Sequence, residues 1–121
     1  MPNPVKIRSA ELNKRITIQR YVKVENDRGV NLHDYPVDKE IRDICASIEP
    51  FAAFIRNGVA DKVAEVQFRI TVRFREGLTL RDRIIYQGRV FEQILPPVDV
   101  NEQHRFLQLT CKELVNAHGH V

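Results

Sequence analysis

Strict alternation over residues 66–75 is the feature that most constrains what this chain can fold into. Apolar residues occupy every second position, and polar or basic residues lie between them. Because successive side chains of a strand point to opposite faces, the segment predicts a half-buried β-strand with one apolar and one basic face. Burial would contribute about 1.5–3 kcal/mol for each inward side chain. The predicted inward residues are Val66, Phe68, Ile70, Val72 and Phe74, and the candidate basic face is Arg69, Arg73 and Arg75.

A β-hairpin is predicted directly after this strand. Residues 83–86 and 89–94 are rich in β-branched and aromatic side chains, and the pair Gln87-Gly88 separates them. Gly at the second turn position suits a type I′ turn, which requires positive φ there.

Three further segments predict strands, at residues 15–22, 43–49 and 105–112. Short strands separated by polar loops are typical of a small antiparallel β-barrel or sandwich, here of about six strands. The predicted fold class is therefore all-β, or β with one short helix, with two long loops. We expect a single domain over residues 1–121, with a flexible arm at 1–14, the barrel at 15–113 and a frayed tail at 114–121.

The two long segments between the predicted strands are harder to interpret. Residues 23–42 are charged and rich in turn-forming residues, which predicts a functional or mobile loop. In residues 50–65 the apolar positions Phe51, Ile55, Val59 and Val63 are spaced by four, which is typical of a helical stripe. Gly58 weakens such a helix by about 1 kcal/mol relative to Ala. The segment is therefore either a short helix or a long loop that becomes ordered against a partner.

Bulk composition excludes several classes of protein. The chain has 121 residues and a net charge of +3, which permits contact with nucleic acid without arguing for it. No apolar run is long enough to span a bilayer, and the first residues lack the apolar core of a signal peptide. We therefore expect synthesis in the cytoplasm, with Cys45 and Cys111 reduced.

No motif in the sequence predicts catalysis. Nucleophile elbows, zinc-protease helices, paired-cysteine motifs and phosphate-binding glycine loops are all missing from it. His118 and His120 on the tail supply too few ligands for a metal site. No catalytic, cofactor-binding or metal-binding residue is predicted.

The arginines between positions 69 and 89 leave two interpretations open. They form a surface for DNA phosphates or an acidic partner, or they lie on a solvated sheet face. We favour the solvated face as far as DNA is concerned, with Glu76, Asp82 and Glu92 as balancing charges. Phe68 and Phe74 alternate with the strand arginines, so aromatic rings and cations are not expected to share a face for base stacking.

Six short segments, in order over about 100 residues, resemble the phage head–tail joining proteins of long-tailed phages, also called head-closure, stopper or head–tail adaptor proteins. The segments are LNKRITIQ at 12–19, DRG at 27–29, CASIEP at 45–50, ITVRFR at 70–75, RIIYQGRVF at 83–91 and LQLTCKE at 107–113. Many members carry a Trp after the first loop, where Tyr35 is the nearest aromatic residue here, and Phe91 stands where Tyr is commoner.

The resemblance implies a structural virion protein without enzymatic activity or cofactor. Such proteins are made in the host bacterial cytoplasm and form a ring below the portal and its adaptor. They close the DNA channel after packaging and provide a docking surface for a tail-completion protein. The expected partners are thus the portal/adaptor ring, the tail-completion protein and further copies of the chain, with non-specific contact to packaged DNA and no membrane.

The resemblance also assigns roles to the two long segments. In relatives, the residues after the A-x-I-x-P strand reach into the channel, which makes the candidate channel-closing segment Phe51, Phe54, Ile55, Arg56, Asn57, Gly58 and Val59. The candidate partner loop is Asp27, Arg28, Gly29 and Tyr35. The alternative function is a small β-barrel nucleic-acid-binding protein.

Overall fold

A closed antiparallel β-barrel forms the body of the protein. The computed structural model describes residues 7–25, 28–29, 31–57 and 61–114. Within those ranges the chain forms strands joined by turns, and its only helical pieces are 3₁₀ turns at Ser9–Glu11, Val37–Lys39 and Val100–Glu102. The strands are β1 Lys14–Gln19, β2 Val22–Glu25, β3 Asn31–Asp34, β4 Ile41–Asn57, β5 Asp61–Arg73, β6 Arg83–Tyr86, β7 Arg89–Gln93, β8 Val98–Asp99 and β9 Phe106–Glu113.

Pairing between β5 and β9 closes the barrel. Strands β5, β4, β1, β6, β7 and β9 are hydrogen-bonded in that order, and the β5–β9 ladder joins the two ends. β8 adds a short pairing to β9, and β2 pairs with β3 as a separate hairpin. Closure removes the exposed edges that an open sheet of this size would present. The predicted all-β antiparallel barrel is confirmed.

The core of the barrel is built from the alternation that the sequence displays. Ile70 and Val72 are fully buried, and Phe91 from β7 is the largest fully buried side chain. The Phe68 ring meets the Phe91 ring edge-on at a centroid distance of 5.1 Å. Phe68 and Phe74 are half-buried at the margin of this core, whereas Val66 is 59% exposed. The prediction that Val66 faces inward is wrong, because β5 has already left the barrel at that position.

The β6–β7 hairpin forms as predicted. Its ladder pairs Arg83 with Glu92 and Tyr86 with Arg89. Gln87 has φ of 50° and Gly88 has φ of 78°, which are the two positive values of a type I′ turn.

The two segments that the sequence left as loops or helix are largely strand. Residues 23–42 contain the end of β2, all of β3 and a 3₁₀ turn, so one continuous loop is the wrong description. Residues 50–65 form neither a helix nor a long loop, because β4 runs to Asn57 and β5 begins at Asp61. Residues four apart share one face of a strand as well as one face of a helix, so the spacing by four did not discriminate between the two. Gly58 and Val59 lie outside the described residues.

The chain ahead of β1 belongs to the folded body from residue 7 onward. Leu12 is buried with Val100 and Phe106 in a second, smaller apolar cluster, and Ile7 packs against it. Residues 1–6 of the predicted arm and 115–121 of the predicted tail lie outside the described residues.

Candidate functional site

A two-stranded arm leaves the barrel along β4 and β5. β1 pairs with β4 only as far as Ala46, and β9 pairs with β5 only from Phe68 onward. Beyond these points, in the described part of the chain, residues 51–57 and 61–67 pair only with each other. At about 3.3 Å per residue, a ladder seven residues long reaches about 23 Å. The described residues of the candidate channel-closing segment, Phe51, Phe54, Ile55, Arg56 and Asn57, therefore lie on this arm.

The arm has the properties of a structure that needs a partner. An isolated two-stranded hairpin is at best marginally stable in water, and each of its outer edges carries unpaired N–H and C=O groups. Ala52 and Val66 are directly opposite each other in the ladder, and both side chains are exposed. A two-stranded ribbon with exposed apolar residues and two unpaired outer edges can pair with strands from a neighbouring chain.

Arginine–aromatic contacts hold the base of the arm. The Arg69 guanidinium lies 4.9 Å from the centre of the Phe51 ring, and that of Arg89 lies 5.5 Å from the Phe68 ring. Arg89 also donates two hydrogen bonds to the Glu113 carboxylate, at 2.9 and 3.1 Å, and this pairing raises the pKa of Arg89. The expected separation of aromatic rings from cations is wrong for Phe68, because Arg89 reaches it from the neighbouring hairpin.

The candidate partner loop is only partly described. Arg28 and Gly29 are exposed, and Gly29 has φ of 76°, whereas Asp27 lies outside the described residues. Tyr35 is not at the tip of this loop. Its ring packs on the Tyr21 ring at 5.3 Å and under the Arg83 guanidinium at 4.1 Å, and its hydroxyl donates to the Arg81 carbonyl at 2.9 Å. Burial raises the pKa of Tyr35. The contacts of this residue fasten the end of the β2–β3 hairpin to the barrel.

Asp82 fixes the segment between β5 and β6. Its carboxylate is 2% exposed and accepts hydrogen bonds from the backbone N–H groups of Tyr21 and Thr79, both at 2.9 Å. Arg20 Nε lies 3.1 Å from the same carboxylate as an ion pair, outside hydrogen-bond geometry. The expectation that Asp82 is a balancing charge on a solvated sheet face is wrong, because its carboxylate is buried. Sequence reasoning missed this group because Asp82 is far from Arg20 and Tyr21 along the chain.

The structure divides the candidate basic face into two parts. Arg69 belongs to the base of the arm, whereas Arg73 and Arg75 line a cleft with Asp43, Ile44, Cys45 and Phe74. Among the described residues, none of the three arginines forms an ion pair within 4.0 Å. Asp82, which was expected to balance the charge of these arginines, forms its ion pair with Arg20 instead.

The described residues contain no group of three metal-ligating side chains. Cys45 is half-buried, and burial raises the pKa of the Cys111 thiol to about 12. No described helix is long and apolar enough to cross a bilayer.

Comparison with known proteins gives a family match and several similar folds. The family model for the phage head completion protein matches residues 7–114. No curated protein sequence matches the chain. Protein SF1141 from Shigella flexneri 2a has a similar fold in solution, with a TM-score of 0.63 and 22% identity over 88% of this chain and 96% of that one.

Two other similar structures come from a gene transfer agent particle and from a phage-like element. A chain in the virion of the native gene transfer agent particle matches with a TM-score of 0.57 and 20% identity, over 85% of this chain and 96% of that one. Protein xkdH of the phage-like element PBSX from Bacillus subtilis matches with a TM-score of 0.52 and 15% identity, over 82% of this chain and 92% of that one. Identities this low establish a shared fold alone.

Proposed function

Because this chain belongs to the phage head completion protein family and is therefore a structural protein of phage heads, we propose that it joins the head to the tail. In this role it forms a ring below the portal and its adaptor and closes the DNA channel after packaging. The outer surface of the ring then receives the tail-completion protein. The protein is made in the host cytoplasm, enters the virion at the head–tail connector and catalyses no reaction.

The arm is the observation that supports channel closure. A ring needs head-to-tail interfaces that close under rotation, and each subunit then presents the same element toward the axis. Arms about 23 Å long, directed inward from such a ring, would extend into the channel. Their free backbone edges and the exposed Val66 and Ala52 would be covered only in the assembled ring. The isolated protein is accordingly expected to be mostly monomeric and to form rings on its platform.

A graded truncation of the arm tests this proposal. Phe51 and Gln67 are opposite each other in the ladder, so residues 52–66 can be replaced by an Asn-Gly turn without a change of register. Ala53 and Glu65 are also opposite each other, which allows a matched half-length variant in which the same Asn-Gly turn replaces residues 54–64. Both variants should fold and bind the portal–adaptor complex, because the barrel ladders remain intact. Heads carrying the full truncation should lose DNA before tails attach, and the half-length variant should leak less.

Two results would contradict the proposal in different ways. If a truncated chain does not fold, the barrel needs the arm for folding, and the arm is not a separate channel-closing element. If the variants fold and their heads keep the DNA, another segment closes the channel, and the β2–β3 hairpin would be the next candidate. Sedimentation that reveals a tight ring of the isolated protein at micromolar concentration would contradict assembly on the platform.

The arginines without ion pairs favour one alternative, a nucleic-acid-binding barrel. Arg69 and Arg73 are exposed cations with no carboxylate within 4.0 Å among the described residues. Phosphate binding by such groups weakens steeply with salt. Fluorescence anisotropy with a DNA duplex over a range of salt concentrations separates the two functions. Salt-sensitive DNA affinity with no ring on the portal–adaptor complex would favour the alternative.

A further inference from the structure

A cleft beside the end of β5 contains two arginines and is separate from the arm. Its volume is about 350 Å³. One wall is the early part of β4, and the other is the end of β5 with the residues that follow it. The lining residues are Asp43, Ile44, Cys45, Arg73, Phe74 and Arg75.

The two arginines of this cleft have no counter-ion among the described residues. Arg73 is exposed and Arg75 is half-buried, and neither forms an ion pair with a described carboxylate. Nη1 of Arg75 is buried and has no hydrogen-bond partner. A buried donor without an acceptor costs free energy, and a half-buried guanidinium favours a nearby anion.

The walls of the cleft are fixed by contacts outside it. The Phe74 N–H donates to the Arg105 carbonyl at 2.9 Å, and the Phe74 ring lies 4.7 Å from the His104 ring. His104 is in turn paired with Asp99. On the opposite wall Asp43 has φ of 58°, a left-handed conformation that is uncommon for a non-glycine residue. The two arginines therefore flank a pocket with a preformed shape.

We propose that this cleft receives the carboxylate of an Asp or Glu side chain from a neighbouring protein, and that the guanidinium groups of Arg73 and Arg75, which line the cleft, hold it there. Guanidinium groups pair with carboxylates through parallel hydrogen bonds. The apolar parts of Ile44 and Phe74 suit the methylene groups of such a side chain. The negative charge of Asp43, on the wall opposite the arginines, repels a polyanion more strongly than a single carboxylate, which favours protein over DNA as the occupant. Only the identity of the neighbour, another component of the connector, depends on the proposed function.

NMR titration of the isolated protein tests carboxylate binding directly. The probe is N-acetyl-glutamate methylamide, and inorganic phosphate and a short DNA duplex are compared with it. The probe should shift the amide signals of Cys45 and Phe74 saturably, at millimolar concentration. Arg75→Gln should weaken this binding about tenfold, since it removes the charge that pairs with the probe. Asp43→Asn should strengthen it about two- to fivefold, because a like charge is removed.

Arg69→Gln is the matched control, because this arginine lies at the base of the arm and outside the cleft. It should leave the affinity for the probe unchanged. The proposal is overturned if the signals do not move, or if they move equally in Arg75→Gln. It is also overturned if the DNA duplex shifts them and the carboxylate probe does not. Ring formation on the portal–adaptor complex is measured separately, so a failure of the proposed function does not alter the result of the titration.

Discussion

Replacement of Asp82 by Ala is the sharpest test of how this barrel is held together. The change removes the acceptor of two backbone N–H groups, from Tyr21 and Thr79, each at 2.9 Å. It also leaves Arg20, whose side chain is 28% exposed, without its partner at 3.1 Å. An orphaned donor costs about 1–3 kcal/mol, and loss of one member of a buried ion pair costs about 3–5 kcal/mol. Because these contributions overlap at one carboxylate, we expect a total loss of about 3–5 kcal/mol.

Urea denaturation followed by circular dichroism measures this loss, with thermal unfolding as a second readout. For a domain of this size, 1 kcal/mol corresponds to roughly 4 °C, so the melting temperature should fall by roughly 12–20 °C. Asp82→Asn should cost less, because its amide oxygen can still accept one of the two hydrogen bonds. Asp38→Ala is the matched control, since Asp38 is exposed, and it should change stability by less than about 0.5 kcal/mol. An Asp82→Ala protein within about 1 kcal/mol of the parent would refute the reasoning.

Three further changes test other parts of the structure. Phe91→Ala, at a side chain with 0% exposure, should cost about 3–5 kcal/mol in urea denaturation, whereas Val66→Ala on the exposed arm should cost almost nothing; equal losses would contradict the assignment of core and arm. Gly88→Ala should cost about 1 kcal/mol through its φ of 78° alone, since no atom lies within 4 Å of an added Cβ, and an unchanged melting temperature would argue against the type I′ turn. Ellman's reagent at neutral pH should react with Cys45 and spare Cys111 until the protein unfolds. Because burial raises the pKa of Cys111 from 9.0 to about 12, its contribution to stability is complete below pH 9.0 and is lost as the pH rises toward about 12. A Cys111→Val protein should lack that part of the alkaline loss, and an identical alkaline profile would count against it.

The sequence predicted the barrel strands well wherever local pattern and burial coincide. Ile70 and Val72 alternate with polar residues and are buried as expected, and Gly88 marks the turn that the structure contains. The segment at residues 51–57 was selected through family resemblance, and its conformation was predicted wrongly. Its role in channel closure stays a prediction.

The groups that sequence reasoning missed depend on contacts between residues that are far apart along the chain. Asp82 resembles any charged turn residue in the sequence, and its burial results from its contact with Arg20 and Tyr21. Tyr35 likewise becomes an anchor only because the Arg83 guanidinium lies over its ring. Local patterns carry no information about such partners, because the barrel brings them together only after it closes.

The sequence by itself determined most strands of the barrel, the type I′ hairpin and the family to which the chain belongs. Only the tertiary structure decided where the barrel ends and the arm begins. Val66 and Ile70 occupy equivalent positions in one alternating pattern, yet Val66 is 59% exposed and Ile70 is fully buried. The physical reason is that alternation defines the apolar face of a strand, whereas burial requires another strand to cover it. β9 pairs with β5 only from Phe68 onward, so the same pattern forms barrel core on one side of Phe68 and exposed arm on the other.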